Sequence, residues 1–575
     1  CGNCGCAFKS SLKMKRFEAV ENAGSEINYR CVKCRECLDC KKSEEVQCIS
    51  IQEEVEQDMI DRSAIVDPEK GLTIATLPFL ENPLATLVTN KQTAMSVYKA
   101  QVRKLDKNPR DRAEVIESES KMQKLGFVEK IENLTEEQRK QIFDNGLQYF
   151  IPWRAVWNPN SMSTPCRLVF DASQVSPSGF SLNSILAEGR NNINKLVEIL
   201  IRWFIHRFAF HTDIRKMYNS VRLDEKHWCY QLYLWHDELS PLEEPIIKVI
   251  MTLIYGVKPS GNQAESALRK TASLESKRYP LASKTIKKDF YVDDGLSGAK
   301  TEKGRTQLIN DLQLVLARGC FSVKEFICSG SDPPEGSSTD GVSVKVAGQK
   351  WYPKEDKISL VSGDLNFSKK RRGKKSIDSG IPENFTRRDC VGKAAELFDL
   401  TGRATPITCA WKLDLRTLVT RRLDWDDMVP SDLKSLWLQN FQTLKDLADV
   451  RFERTIVPED AVNLDVNTIG VGDASGELHC AAIYARFIRK NGSYSSQLIF
   501  SRSKLVPDGM SIPRAELLAA DLNATIGHIV KLALSDFHKS TIKLTESQVA
   551  LFWISNTENP LKQWTRNKVV DIARL

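Results

Sequence analysis

Phe290-Tyr291-Val292-Asp293-Asp294-Gly295 sets two adjacent carboxylates behind a short apolar, β-prone run. Asp-Gly is a strong hairpin signal, so the segment reads as strand, tight turn, strand. Two neighbouring carboxylates repel each other. A lone Asp-Asp-Gly is more often a solvated turn; the other reading is a divalent-cation site. The flanking sequence weighs between them.

Upstream, Phe208-Ala-Phe-His-Thr-Asp213 is an apolar strand ending in a carboxylate, which is costly to bury unpaired. Before it, Leu196, Ile199, Leu200, Trp203 and Phe204 mark one face of a helix within 191–208. Two further β-prone runs, 150–157 and 166–173, flank a polar turn and read as a hairpin. Arg167 on that hairpin is a surface charge, or a phosphate clamp if a nucleotide binds, because guanidinium matches phosphate oxygens. Tyr255-Gly256 opens a Gly-bearing loop, and Ser260 with Gln263 fits a capping box starting a helix over 264–277. Such loops can meet phosphate, though many only turn the chain. Downstream, a helix over 302–318 and a strand over 320–327 are expected.

Strand-Asp213, loop and helix, strand-Asp293-Asp294, helix and strand in this order resembles the palm of reverse transcriptases. More closely, it is similar to the polyproteins of BEL/Pao-type retrotransposons. The resemblance rests on Arg167-Leu-Val-Phe-Asp-Ala-Ser173, Thr212-Asp213-Ile-x-Lys-Met-Tyr218, Tyr255-Gly256-x-x-x-Ser260, Tyr291-Val-Asp-Asp294 and Gly319-x-Phe-x-Val-Lys324. It implies an α+β multidomain protein: right-hand polymerase fingers and palm over 85–330, then thumb and connection over 331–460. A truncated ribonuclease H-like α/β domain would follow over 461–575. The implied activity is RNA-directed DNA polymerisation with two Mg²⁺ ions, Mn²⁺ being the alternative, roughly 3.5–4 Å apart. By the same resemblance Asp213 and Asp293 are the main metal ligands and Asp294 assists. Tyr218 is the steric gate under the sugar, Arg167 holds triphosphate, Tyr255 and Gly256 line the nucleotide pocket, and Lys324 approaches the pyrophosphate. Implied partners are an RNA template, a DNA primer, dNTPs, and the capsid, peptidase and integrase of a polyprotein. The implied setting is cytoplasmic, in virus-like particles, with nuclear access for the element.

The remaining chain adds less. Its 575 residues point to several domains. Lys+Arg exceeds Asp+Glu by 82 − 74 = +8, a mild basic bias compatible with a polyanion partner. No apolar run is long enough to cross a bilayer. Starting at Cys1, the chain reads as a piece of a longer polypeptide. Cys31, Cys34, Cys37 and Cys40 lie at two-residue gaps in a Cys-rich segment, 1–50, where thiolates suit Zn²⁺ as well as a plain linker suits the composition. Residues 51–84 read as a linker, 85–125 as helical, and 135–146 as a helix with a Thr135/Gln138 capping box. Lys and Arg over 368–375 form either a solvated loop or a nucleic-acid contact. Residues 388–450 read as helical with a break at Pro406. Leu397 to Gly402 and Leu423 to Asp427 resemble the family's thumb and connection.

A second set of strand-end acids follows. Asp473 ends a strand, Ser511 and Pro513 open a long helix bearing Glu516, and Glu546 ends another strand. Strands, helix and strand with three such acids are similar to ribonuclease H. The family's third acid is usually Asp; Glu546 moves its carboxylate by about 1.5 Å. With no clear fourth acid, Asp571 reading as a helix-surface residue, a weak or inactive ribonuclease H region is expected. Asp473-Ala-Ser-Gly476 fits an aspartic peptidase poorly, having one residue too many and no second copy. The rival to a polymerase is a non-catalytic nucleic-acid-binding remnant of a retroelement.

Overall fold

The computed structural model describes residues 17–21, 27–31, 51–157, 165–338, 340–360, 380–556 and 560–575. Phe17–Glu21 and Ile27–Cys31 pair antiparallel. The Cys31 side chain, Cys34, Cys37, Cys40 and the basic run lie outside the described residues.

At the centre is a four-stranded antiparallel sheet in the order Phe290–Tyr291, Asp294–Ala299, Phe208–Ile214, Val323–Cys328. Alternation along the Asp213 strand sends Phe210 and Ile214 to one face, against helices Ser260–Leu274, Pro280–Asp289 and Glu302–Ala317. Ala209 goes to the other face, with Leu296 and Ile327, against helix Leu196–Ile205. That sheet is therefore covered on both sides, which is why the Asp213 strand reads as continuously apolar.

Two expectations are corrected here. Tyr291 pairs with Asp294, so the tight turn is Val292–Asp293, and Asp294-Gly295 lies in the strand. Gly295 serves a close approach instead: a Cβ there would stand 2.6 Å from the Phe290 ring. Val292 holds the left-handed conformation, φ +59°, unusual for a β-branched residue. The Ser260/Gln263 capping box does not form, and the helix begins at Ser260 with no side-chain cap. Gln263 instead donates to Ser63 Oγ and Thr76 O, both at 2.7 Å, so a buried tertiary partner replaces the local one.

Residues 51–84, expected as a linker, carry helix Ile51–Ser63 and a hairpin of Ala64–Asp67 with Leu72–Ala75. Ser266 donates to Asp61 at 2.6 Å, fastening this segment to the Ser260 helix. The helical stretch 85–125 is split by Pro109 into Lys91–Asp106 and Pro109–Lys124. The Thr135/Gln138 box forms as read. The hairpin pairs Trp153–Trp157 with Cys166–Phe170. Pro406 sits in the first turn of helix Thr405–Thr420 and starts it, with Arg387–Ala394 before and Ser431–Asp446 after.

The last sheet runs Tyr494–Leu505, Leu478–Ile488, Val466–Ala474, His538–Thr545. The first three are antiparallel; the fourth is parallel to Val466–Ala474, reached through helix Ile512–Ala533. Helix Leu196–Ile205 packs between the two sheets, sharing one core with Trp351, Ile483 and Leu522.

Candidate active site

Asp213 and Asp294 are direct register partners, so both carboxylates rise from the same face of adjacent strands. Asp293 occupies the turn beside them, and its carbonyl accepts from Ile214 N at 2.8 Å. Asp213 and the adjacent pair Asp293–Asp294, about 80 residues apart in sequence, thus lie at one strand end. Side chains from neighbouring strand positions hold two of these acids: Lys324 Nζ is 2.9 Å from Asp213 Oδ1, and His211 Nε2 is 3.2 Å from Asp294 Oδ1. Lys324, expected at the pyrophosphate, pairs with Asp213. His211 was not anticipated; its position two residues before Asp213 on the same strand face was the available signal.

Burial, and then the charges of Asp294 and Asp213, push the Asp293 carboxyl up from 3.8 to about 6. The native state therefore keeps a proton that the unfolded chain has released between those values. This group's contribution to stability accordingly falls as pH rises from 3.8 to about 6 in metal-free protein. Asp294→Asn should lower the Asp293 value partway, since burial is the larger cause. Carboxyl ¹³C NMR reads this directly, and an unmoved titration rejects the like-charge contribution.

The Tyr218 and Tyr255 rings stack at 4.3 Å between centroids with a 34° tilt. Burial raises both phenols, Tyr255 to about 12, with Asp293 next among the causes. Gly256 has φ +106°, and a Cβ there would fall 1.8 Å from the Phe170 carbonyl oxygen. Only glycine lets this loop lie against the Arg167 hairpin. Asn183, also missed, staples the two: its Nδ2 donates to Gly256 O at 2.8 Å and Ser173 Oγ at 2.9 Å. Arg167 is exposed on the hairpin. Lys216, at φ +51°, is held below the usual lysine range by burial and then by Arg167 and Lys324. Cations therefore gather beside the acids.

At the second sheet, Asp473, Glu516 and Glu546 offer carboxylate oxygens all within 4.8 Å of one another. Glu516 is buried, its Oε2 has no hydrogen-bond partner, and burial followed by Asp473 raises its carboxyl. A hard-oxygen set with an unsatisfied buried oxygen fits a divalent cation. The extra methylene of Glu546 is absorbed without separating the three. Asp571 lies 3.8 Å from Lys568 and outside this cluster.

No curated protein sequence matches the chain. Among solved structures it is similar to a foamy viral protease-reverse transcriptase in complex with double-stranded DNA, at 12% identity and TM-score 0.47, covering 79% of this chain and 66% of that one. It is also similar to a foamy viral protease-reverse transcriptase in complex with an RNA/DNA hybrid, at 12% identity and TM-score 0.44, covering 74% and 48%. The chain thus spans 66% and 48% of those two lengths. The architecture is mixed α+β and multidomain. Residues 386–547, which include Asp473, Glu516 and Glu546, match the family model of the Pao retrotransposon-like RNaseH-like domain.

Proposed function

We propose that the chain is the RNA-directed DNA polymerase of a retroelement, extending a DNA primer on an RNA template. The observation that carries this reading is the register pairing of Asp213 with Asp294 beside the Asp293 turn. When bound, two divalent cations, Mg²⁺ or Mn²⁺, neutralise the charge developing on the primer hydroxyl and the leaving pyrophosphate. Asp213 and Asp293 would hold them, and His211 orients Asp294 beside Asp213. Tyr218, braced by Tyr255, packs beneath the sugar and disfavours a 2′-hydroxyl. Gly256 lets the Tyr255 loop lie against the Arg167 hairpin. Arg167 and Lys324 take the phosphates, with Lys324 exchanging its Asp213 partner for substrate.

Primer extension with dNTPs and Mg²⁺ on an RNA template tests this. Template-directed incorporation is expected; soluble, folded protein that binds primer–template but incorporates nothing is instead a non-catalytic remnant. Asp473, Glu516 and Glu546 form the second divalent-cation site, directed at RNA phosphodiesters in a hybrid. Glu546→Gln should weaken Mn²⁺ binding at that site by at least about tenfold. Electron paramagnetic titration measures it, and unchanged affinity removes Glu546 from the ligand set. The peptidase reading loses support, because Asp473 converges with two glutamates rather than a second aspartate. Among the described residues no helix is long and apolar enough to cross a membrane. A cytoplasmic setting within virus-like particles goes with the polymerase reading.

A further inference from the structure

Cys409 lies on helix Thr405–Thr420 and Cys480 on strand Leu478–Ile488, with their sulfurs 3.7 Å apart. Both are free and partly exposed, so a small oxidant reaches them. Among the described residues no other two sulfurs are in contact. A disulfide requires the sulfurs to close to about 2.05 Å. Lys412, one turn along the same helix, donates to Ser503 O at 2.7 Å and Ser503 Oγ at 2.8 Å. Ser503 is the register partner of Cys480, which places the Lys412 side chain beside both sulfurs. On its other side Cys480 is the register partner of Asp473, one of the three converging acids.

We propose that Cys409 and Cys480 form a redox-active dithiol, which a hydroperoxide closes into a disulfide clamping the helix onto the Asp473 strand pair. The Cys409 sulfur attacks the peroxide oxygen, giving a sulfenic acid as the O–O bond breaks; for hydrogen peroxide, the departing hydroxide takes up the proton released from Cys409 and leaves as water. Cys480 then attacks that sulfur; the S–S bond forms, the S–O bond breaks, and the thiol proton leaves with hydroxide as a second water. Two thiols are oxidised and one peroxide is reduced to two waters. The bond closes a long loop, so it restrains the unfolded chain more than it alters the folded one. The inference does not depend on polymerase activity.

The test is titration of the full chain with hydrogen peroxide, followed by alkylation and non-reducing peptide mapping. The expected result is a Cys409–Cys480 cross-linked peptide that dithiothreitol removes. It should be accompanied by a rise of a few degrees in melting temperature, absent from Cys409→Ser and Cys480→Ser. If Cys409 and Cys480 both remain alkylatable after the exposed Cys320 has been oxidised, the proposal is overturned. Mapping that joins either cysteine mainly to another partner overturns it too. Cys409→Ala and Cys480→Ala, measured reduced, should melt with the parent; a large drop would mark the pair as packing alone.

Discussion

On the proposed polymerase reading, Asp213→Asn and Asp293→Asn should each cut the single-turnover rate of nucleotide incorporation on the order of a thousandfold or more, since each would remove a proposed metal-holding charge worth several kcal/mol at about 1.4 kcal/mol per factor of ten. The substitutions keep the shape and hydrogen-bonding size of the side chain, so circular dichroism and the melting temperature should stay near those of the parent. Asp293→Asn also removes a partly buried carboxyl already raised by its acidic neighbours, so it should not destabilise the metal-free fold. Asp294→Asn should cost less, because His211 already occupies one oxygen of Asp294. Rapid-quench measurement with saturating Mg²⁺ distinguishes these cases. A near-parental rate for Asp213→Asn would remove the two-metal reading altogether.

Arg454→Ala should destabilise the protein by about 3–5 kcal/mol, the usual result of stripping one partner from a buried ion pair. Arg454 is wholly buried and grips both Asp356 carboxylate oxygens at 2.7 Å. It also donates to the Trp203 and His206 carbonyls at the end of helix Leu196–Ile205. Asp356, at φ +55°, accepts from Trp351 Nε1 at 3.1 Å as well. The arginine therefore ties the small sheet of Gln349–Tyr352 and Lys357–Ser359 to the helix that both large sheets share. Its removal strands a mostly buried carboxylate and two carbonyls. Chemical denaturation measures the loss, and Arg454→Met with Asp356→Leu should recover part of it by leaving no unpaired charge. A loss below about 1 kcal/mol would place the pair among those of no structural consequence.

Local rules carried much of this protein. An apolar run ending in a single acid marked the strand of Asp213, because a buried β-strand tolerates a charge only where it emerges. The Thr135 box formed because both of its partners lie within one turn and nothing competes for them. The acids themselves were legible one by one, from residue type and order along the chain. Tertiary packing decided the rest. Gln263 gave up its cap for Ser63, a residue 200 positions away. The hairpin turned at Val292–Asp293 because the Phe290 ring needs the space over Gly295. Residues 51–84 folded because the Ser260 helix offers them polar partners, which no periodicity within them announces. Asn183, His211 and the Cys409–Cys480 contact arise between segments joined only in space. Whether Glu546 could reach Asp473 and Glu516 was likewise a question of distance, set by the parallel strand pair and the helix between its strands.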